Sequence, residues 1–90
     1  NVIKIFWHPM YPLVYSASTD GLVQLWSGQT GACLLTLGGH TDMILDMSVI
    51  FATNREEQDT IFTCSDDHTA RIFTVDPHTH FNASANTPSL

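Results

Sequence analysis

Basic side chains are nearly absent from this sequence. Lys4, Arg55 and Arg71 face nine Asp and Glu residues, and the formal charge is −6. That balance argues against electrostatic binding to nucleic acid or to an anionic membrane, and it favours a basic protein partner. Cysteine is also scarce. Cys33 and Cys64 have no CxxC spacing, fall in predicted strands, and read as buried, reduced thiols of an intracellular, cytoplasmic protein. No apolar run approaches the length of a membrane-spanning helix, and the first residues lack a signal-peptide layout.

What is present is one hairpin, written twice. Ser16 to Trp26 reads SASTDGLVQLW, an apolar strand ending in small residues, an Asp20-Gly21 turn and a second strand closing on Trp26. Asp-Gly between alternating apolar runs predicts a two-residue I′ turn, whose positive φ angles such residues accept. Thr63 to Phe73 reads TCSDDHTARIF, with Asp67 and Phe73 standing 47 positions after Asp20 and Trp26. A hairpin recurring at a spacing of about 40 to 45 residues is the signature of propeller blades. A blade presents both sheet faces to its neighbours, and about four to eight are needed to cover them all. Two blades cannot close a ring, so the remainder of a longer all-β chain is expected to be required.

Taken in order, the chain alternates strands and breakers. Val2–Trp7 is apolar on both faces, as an inner blade strand should be, and His8-Pro9 and Tyr11-Pro12 end it. Leu13–Ser18, Leu22–Trp26 and Cys33–Leu37 complete a four-stranded meander, broken by Gly38-Gly39. Ile44–Ile50, Thr60–Ser65 and Thr69–Val75 follow, with Asn54 to Asp59 expected as a solvated, charged loop. Residues 76–90 lack alternation and read as a flexible tail in which Asp76, unlike Asp67, has no hydrogen-bonded turn. The expected division is therefore 1–38 for one blade, 39–75 for a last blade without its outer strand, and 76–90 for the tail.

In each hairpin a hydroxyl precedes the Asp by four residues and an aromatic follows it by six: Ser16, Asp20 and Trp26, then Thr63, Asp67 and Phe73. His40, between the units, can donate to a carboxylate and accept from a hydroxyl, which makes it the candidate to reach Asp67 and Thr63. The Gly39-His40 dipeptide, the turn Asp and the strand-ending Trp resemble the WD-repeat (WD40) family. That resemblance implies a β-propeller, with about two blades here of a seven-bladed ring, and a His–Asp–Ser/Thr–Trp hydrogen-bond network in each blade. Phe73 has no indole N–H, so the second network should be one bond short. The family's name-giving dipeptide is degraded to Trp26-Ser27 and Phe73-Thr74.

The stretches LVYSASTDGLVQLWSGQTGACLLTLGGHTDMILDMSV and TCSDDHTARIFTV are further similar to the last two repeats of the angio-associated migratory cell protein group. Membership of that group would imply a protein-binding scaffold, and its fungal member chaperones a large-subunit ribosomal protein. In the wider family, partners dock beside the Gly-His dipeptide and the turn Asp. Carried over by position, that face is Asn1, Ile3, Thr19, Met43, Leu45 and Asp66; exposed Met43 and Leu45 would make an apolar patch rimmed by Asp42, Asp66 and Asp67 and suited to a basic client, the alternative being that both simply pack between blades. The resemblance also implies that the N-terminal segment of the ring supplies the missing outer strand.

Rival chemistries are poorly supported. A hydrolase triad from His40, Asp67 and Thr63 lacks a nucleophile elbow or an oxyanion loop, and its hydroxyl lies inside a strand. A metal site from His68, His78 and His80 with Cys64 is similarly weak, since His-x-His in a flexible tail is a common accident. The Asn82-Ala83-Ser84 sequon is without consequence in a cytosolic protein. No enzyme, cofactor or metal is expected. The alternative to a client-binding scaffold is a structural subunit of a larger signalling or cell-migration complex.

Overall fold

The computed structural model describes residues 1–80. It contains seven strands in two antiparallel sheets. The first sheet has the order β1(Val2–Trp7), β2(Leu13–Ser18), β3(Val23–Ser27), β4(Cys33–Leu37). The second has the order β5(Ile44–Ile50), β6(Asp59–Ser65), β7(Ala70–Val75). Each is a meander of sequential neighbours, as short turns between antiparallel strands require.

Alternation along the strands decides the packing. Leu13, Tyr15 and Ala17 of β2 and Val23 and Leu25 of β3 point one way, onto Ile44, Met47 and Ile61 of the second sheet, and all eight are buried. Phe6 and Phe73 pack at the margin of this core. The opposite faces are open among the described residues. Ile5 and Trp7 are 54% and 64% exposed on the first sheet, and Ile50 and Ile72 are 62% and 67% exposed on the second. Two stacked sheets, apolar also on their outer sides, have the form of adjoining blades.

Several expectations need correction. The first turn is not a two-residue I′ turn. Gly21 has φ +84° while Asp20 keeps a negative φ, and Gly21 N–H bonds to the Ser18 carbonyl at 3.2 Å. This is a three-residue loop closed by a left-handed residue, because the Asp20 carboxylate accepts from the Ser18 hydroxyl and from Leu22 N–H and fixes the turn around itself. His68, at φ 69°, fills the equivalent place in the second hairpin.

Asp59 is not in the solvated loop. It is the first residue of β6 and fully buried, whereas residues 53–58 are exposed. Its partners, His8 and Tyr15, lie far away in sequence and replace the water it loses. Neither cysteine is buried: both are free and exposed, Cys33 at the outer strand and Cys64 on the open side of β6, where alternation turns Thr63 and Ser65 inward instead.

Asp76 is also hydrogen-bonded. Its Oδ1 accepts from the N–H groups of His78 and Thr79, and its Oδ2 from the Thr79 hydroxyl, so it caps a helical turn at 77–80 that starts on buried Pro77. The rest of the expected tail, with the sequon, lies outside the described residues.

Candidate interaction face

Each sheet begins its innermost strand with a β-bulge. The register of β1 against β2 shifts between Val2 and Lys4, and that of β5 against β6 shifts between Ile44 and Asp46. The extra residue is Ile3 in one and Leu45 in the other. A bulged residue leaves the ladder and its side chain is re-aimed. Ile3 is 38% exposed and Leu45 54%.

The other positions of the expected face pair across the same ends. The Asn1 carbonyl accepts from Thr19 N–H at 2.8 Å, and the Met43 carbonyl accepts from Asp66 N–H at 3.0 Å, at corresponding places in the two sheets. The two ends lie side by side. A Cβ on Gly21 would stand 2.9 Å from the backbone oxygens of both His40 and Asp42, so the first hairpin turn rests on the loop that opens the second sheet. Lys4 and Asp46 join the inner strands by an exposed ion pair at 2.8 Å. The structure thus brings Asn1, Ile3, Thr19, Met43, Leu45 and Asp66 to one end of the stack.

The charge at this end is negative. Lys4 is matched by Asp46, and Arg71 donates to the Gly39 carbonyl at 2.9 Å. The Ser18 hydroxyl above all holds the Asp20 carboxyl below the usual range, so it stays ionised at neutral pH. Asp42 and Asp66 are exposed beside Met43.

Behind the face, His40 is the hub of a buried network. Its Nδ1 lies 3.0 Å from Asp67 Oδ2 and its Nε2 2.7 Å from Thr63 Oγ1. The carboxylate can only accept, so His40 Nδ1 carries a proton and donates to it, while Nε2 shares a hydrogen bond with the Thr63 hydroxyl. Asp67 also accepts from Thr41 N–H, from Thr69 N–H and from the Thr69 hydroxyl. The Thr69 hydroxyl is the largest influence holding its carboxyl far below the ordinary value, with Thr41 N–H and His40 adding to it.

The first sheet shows the other half of the same arrangement. Trp26 Nε1 donates to Ser16 Oγ at 2.9 Å, while Asp20 engages Ser18 and Leu22 rather than Ser16. Phe73 is placed opposite Ile61, at the core margin, and has no N–H to offer Thr63. The sequence reading overlooked Ser18 and Ser65, each two residues before its turn Asp. Ser65 Oγ accepts from Asp67 N–H and donates to the Asp42 carbonyl, and the repeated Ser-x-Asp was visible 47 positions apart.

The network is closed to substrate, because the His40 side chain is 1% exposed and Thr63 4%. Among the described residues no group of three or more His, Cys, Asp or Glu is placed to hold a metal ion, and no helix is long and apolar enough to cross a membrane. His78 instead lies 2.8 Å from the Arg55 guanidinium.

Comparison with known proteins agrees with this geometry. Residues 1–27 and 31–74 match the WD40 family, described as WD domain, G-beta repeat. Over 75 residues the chain is 36% identical to the angio-associated migratory cell protein of Homo sapiens, covering 83% of this chain and 16% of that protein. Polyadenylation factor subunit 2 of Neurospora crassa is 53% identical over 38 residues, which is 42% of this chain and 6% of that protein. The Lissencephaly-1 homolog of Caenorhabditis briggsae is 33% identical over 48 residues, 53% of this chain and 12% of the other. The chain thus spans a small part of these relatives. With both hairpins inside the matched residues, the chain belongs to the WD40 family and is a β-propeller fragment related to the angio-associated migratory cell protein.

Proposed function

We propose that this chain is part of a non-catalytic scaffold that holds a basic protein partner on the end carrying Ile3, Met43 and Leu45. The observation that carries the reading is the pair of matched bulges, which expose two aliphatic side chains at equivalent places beside Asp20, Asp42 and Asp66. Apolar anchors within an acidic rim suit a partner that combines aliphatic contacts with Lys or Arg. On this reading the partner is a protein, not nucleic acid or membrane, and the protein works in the cytoplasm. A ribosomal protein escorted during ribosome assembly is one partner of that chemistry.

The same reading makes 1–38 one blade and 39–75 the last blade of a seven-bladed ring, its outer strand supplied from elsewhere in the longer protein. The open apolar faces around Trp7 and Ile72 support further blades on either side. A second reading, a fixed subunit of a signalling or cell-migration complex, is favoured by the name of the human relative.

The test is affinity capture by the natural protein carrying these repeats, compared with Leu45→Asp and Met43→Ala variants. A basic partner captured at low salt and lost at high salt, and lost in the variants, supports the proposal. Capture that is indifferent to both residues and to salt overturns it. A stoichiometric assembly without exchange favours the second reading.

A further inference from the structure

A second buried polar cluster lies at the opposite end of the stack and is unrelated to the WD-repeat network. Asp59 Oδ1 lies 2.9 Å from His8 Nε2 and accepts from Ala52 N–H at 2.7 Å, and Asp59 Oδ2 accepts from the Tyr15 hydroxyl at 2.5 Å. The side chains of Asp59 and His8 are wholly buried, and Tyr15 is buried too. Met10 N–H donates to His8 Nδ1 at 3.0 Å, so that nitrogen keeps its lone pair and the ring proton sits on Nε2, aimed at Asp59. Phe51 meets the His8 ring edge-on at 4.9 Å. His8 and Tyr15 belong to the first sheet and its loop, while Ala52 and Asp59 belong to the second. The cluster therefore spans the seam between two blades, where apolar contact alone carries no directional preference.

We propose that Asp59 is a latch that fixes one blade on the next and makes them open as a unit, with His8 acting as a neutral, Nε2-protonated donor. The hydrogen bonds of each ladder lie within its own sheet and do not resist a shear along the seam. The two donors that reach the buried Asp59 carboxylate across the seam, His8 and Tyr15, do, since sliding the sheets would strand a charge and both of these partners without water. Asp59→Ala removes the acceptor altogether. Asp59→Asn keeps one oxygen for His8 and Ala52 and can turn its amide toward the Tyr15 oxygen, so it should rescue most of the coupling.

The experiment is native-state hydrogen exchange on the natural protein that carries these repeats, read at the β2 and β6 amides, with ¹⁵N spectra of His8. In the unaltered protein β2 and β6 should exchange together, and His8 Nδ1 should resonate as a pyridine-type nitrogen. In Asp59→Ala, β6 should exchange about tenfold faster relative to β2, the equivalent of one lost hydrogen bond to a charged group. Asp59→Asn should hold the ratio near that of the unaltered protein. If Asp59→Ala does not fold, Tyr15→Phe serves as the milder variant and should open β6 relative to β2 by a smaller factor. Equal loss of protection in the two strands, absence of rescue by Asn, or a proton on His8 Nδ1 would overturn the proposal.

Discussion

Asp67 and Asp59 are both turn-proximal carboxylates, yet they carry opposite kinds of information. Asp67 is held by Thr69 beside it and by His40 and Thr41 of the loop that opens the second sheet, and its folded-state pKa lies far below the 3.8 of an unconstrained Asp. A depressed carboxylate contributes stability that is present above about pH 4 and is lost as pH falls further. Asp67→Asn should flatten the acid limb of the stability curve, and melting temperatures compared across about pH 2 to 7 would check it. At neutral pH Asp67→Ala should lower the melting temperature more than Asp46→Ala does, since exposed Asp46 makes an ion pair with Lys4 and accepts a single N–H, that of Met47, whereas Asp67 gathers four donors. Tyr15 tests the other sign. Burial first, and then its bond to Asp59, raise its phenol far above the usual 10.0. The stability this represents is complete below about pH 10 and is lost as pH rises beyond it. Tyr15→Phe should remove that alkaline limb and cost about 1 to 3 kcal/mol at neutral pH by depriving Asp59 of a donor, as denaturant unfolding at two pH values would show.

The two hairpins show how one element tolerates different residues. Gly21 and His68 both occupy the left-handed region; Gly21 also lies against backbone oxygens of a neighbouring loop, whereas His68 is exposed. Gly21→Ala should be destabilising on both counts, through the strained φ and through contacts that backbone atoms cannot yield. His68→Gly should be neutral or stabilising by up to about 1 kcal/mol, because it removes the left-handed penalty of an L side chain. Paired thermal melts of the two variants would decide the matter. Most of this element scale was legible beforehand. All seven strands lie within one residue of their expected bounds, since period-2 alternation and Gly-Pro punctuation are local signals. The turn class was not legible. Asp-Gly fits several loops, and the choice fell to the Ser18 and Leu22 bonds that hold Asp20.

At the scale of the whole molecule, the open sheet faces dominate. Trp7, Ile5, Ile50 and Ile72 are side chains that a blade buries against its neighbours. Produced alone, the ninety-residue chain should self-associate through these faces. Trp7→Lys with Ile72→Lys should reduce the association, as light scattering would reveal, without disturbing the core on the inner faces. The same tertiary relation decides what the interaction end looks like. That Ile3 and Leu45 match was implied by alignment of the repeats, but their exposure follows from bulges that no residue pattern announces.

The sequence alone determined the strands, the repeat, and the link between His40, Thr63 and Asp67. These depend on side-chain alternation and on a spacing written twice, so each copy explains the other. Only the tertiary structure decided which carboxylate is buried and which thiols are not. Asp59 is committed to the interior by His8 and Tyr15, 51 and 44 positions away, and solvent leaves a charge only when such partners arrive together. Nothing in the run NREEQD distinguishes its last acid from the two before it, because the difference lies across the seam.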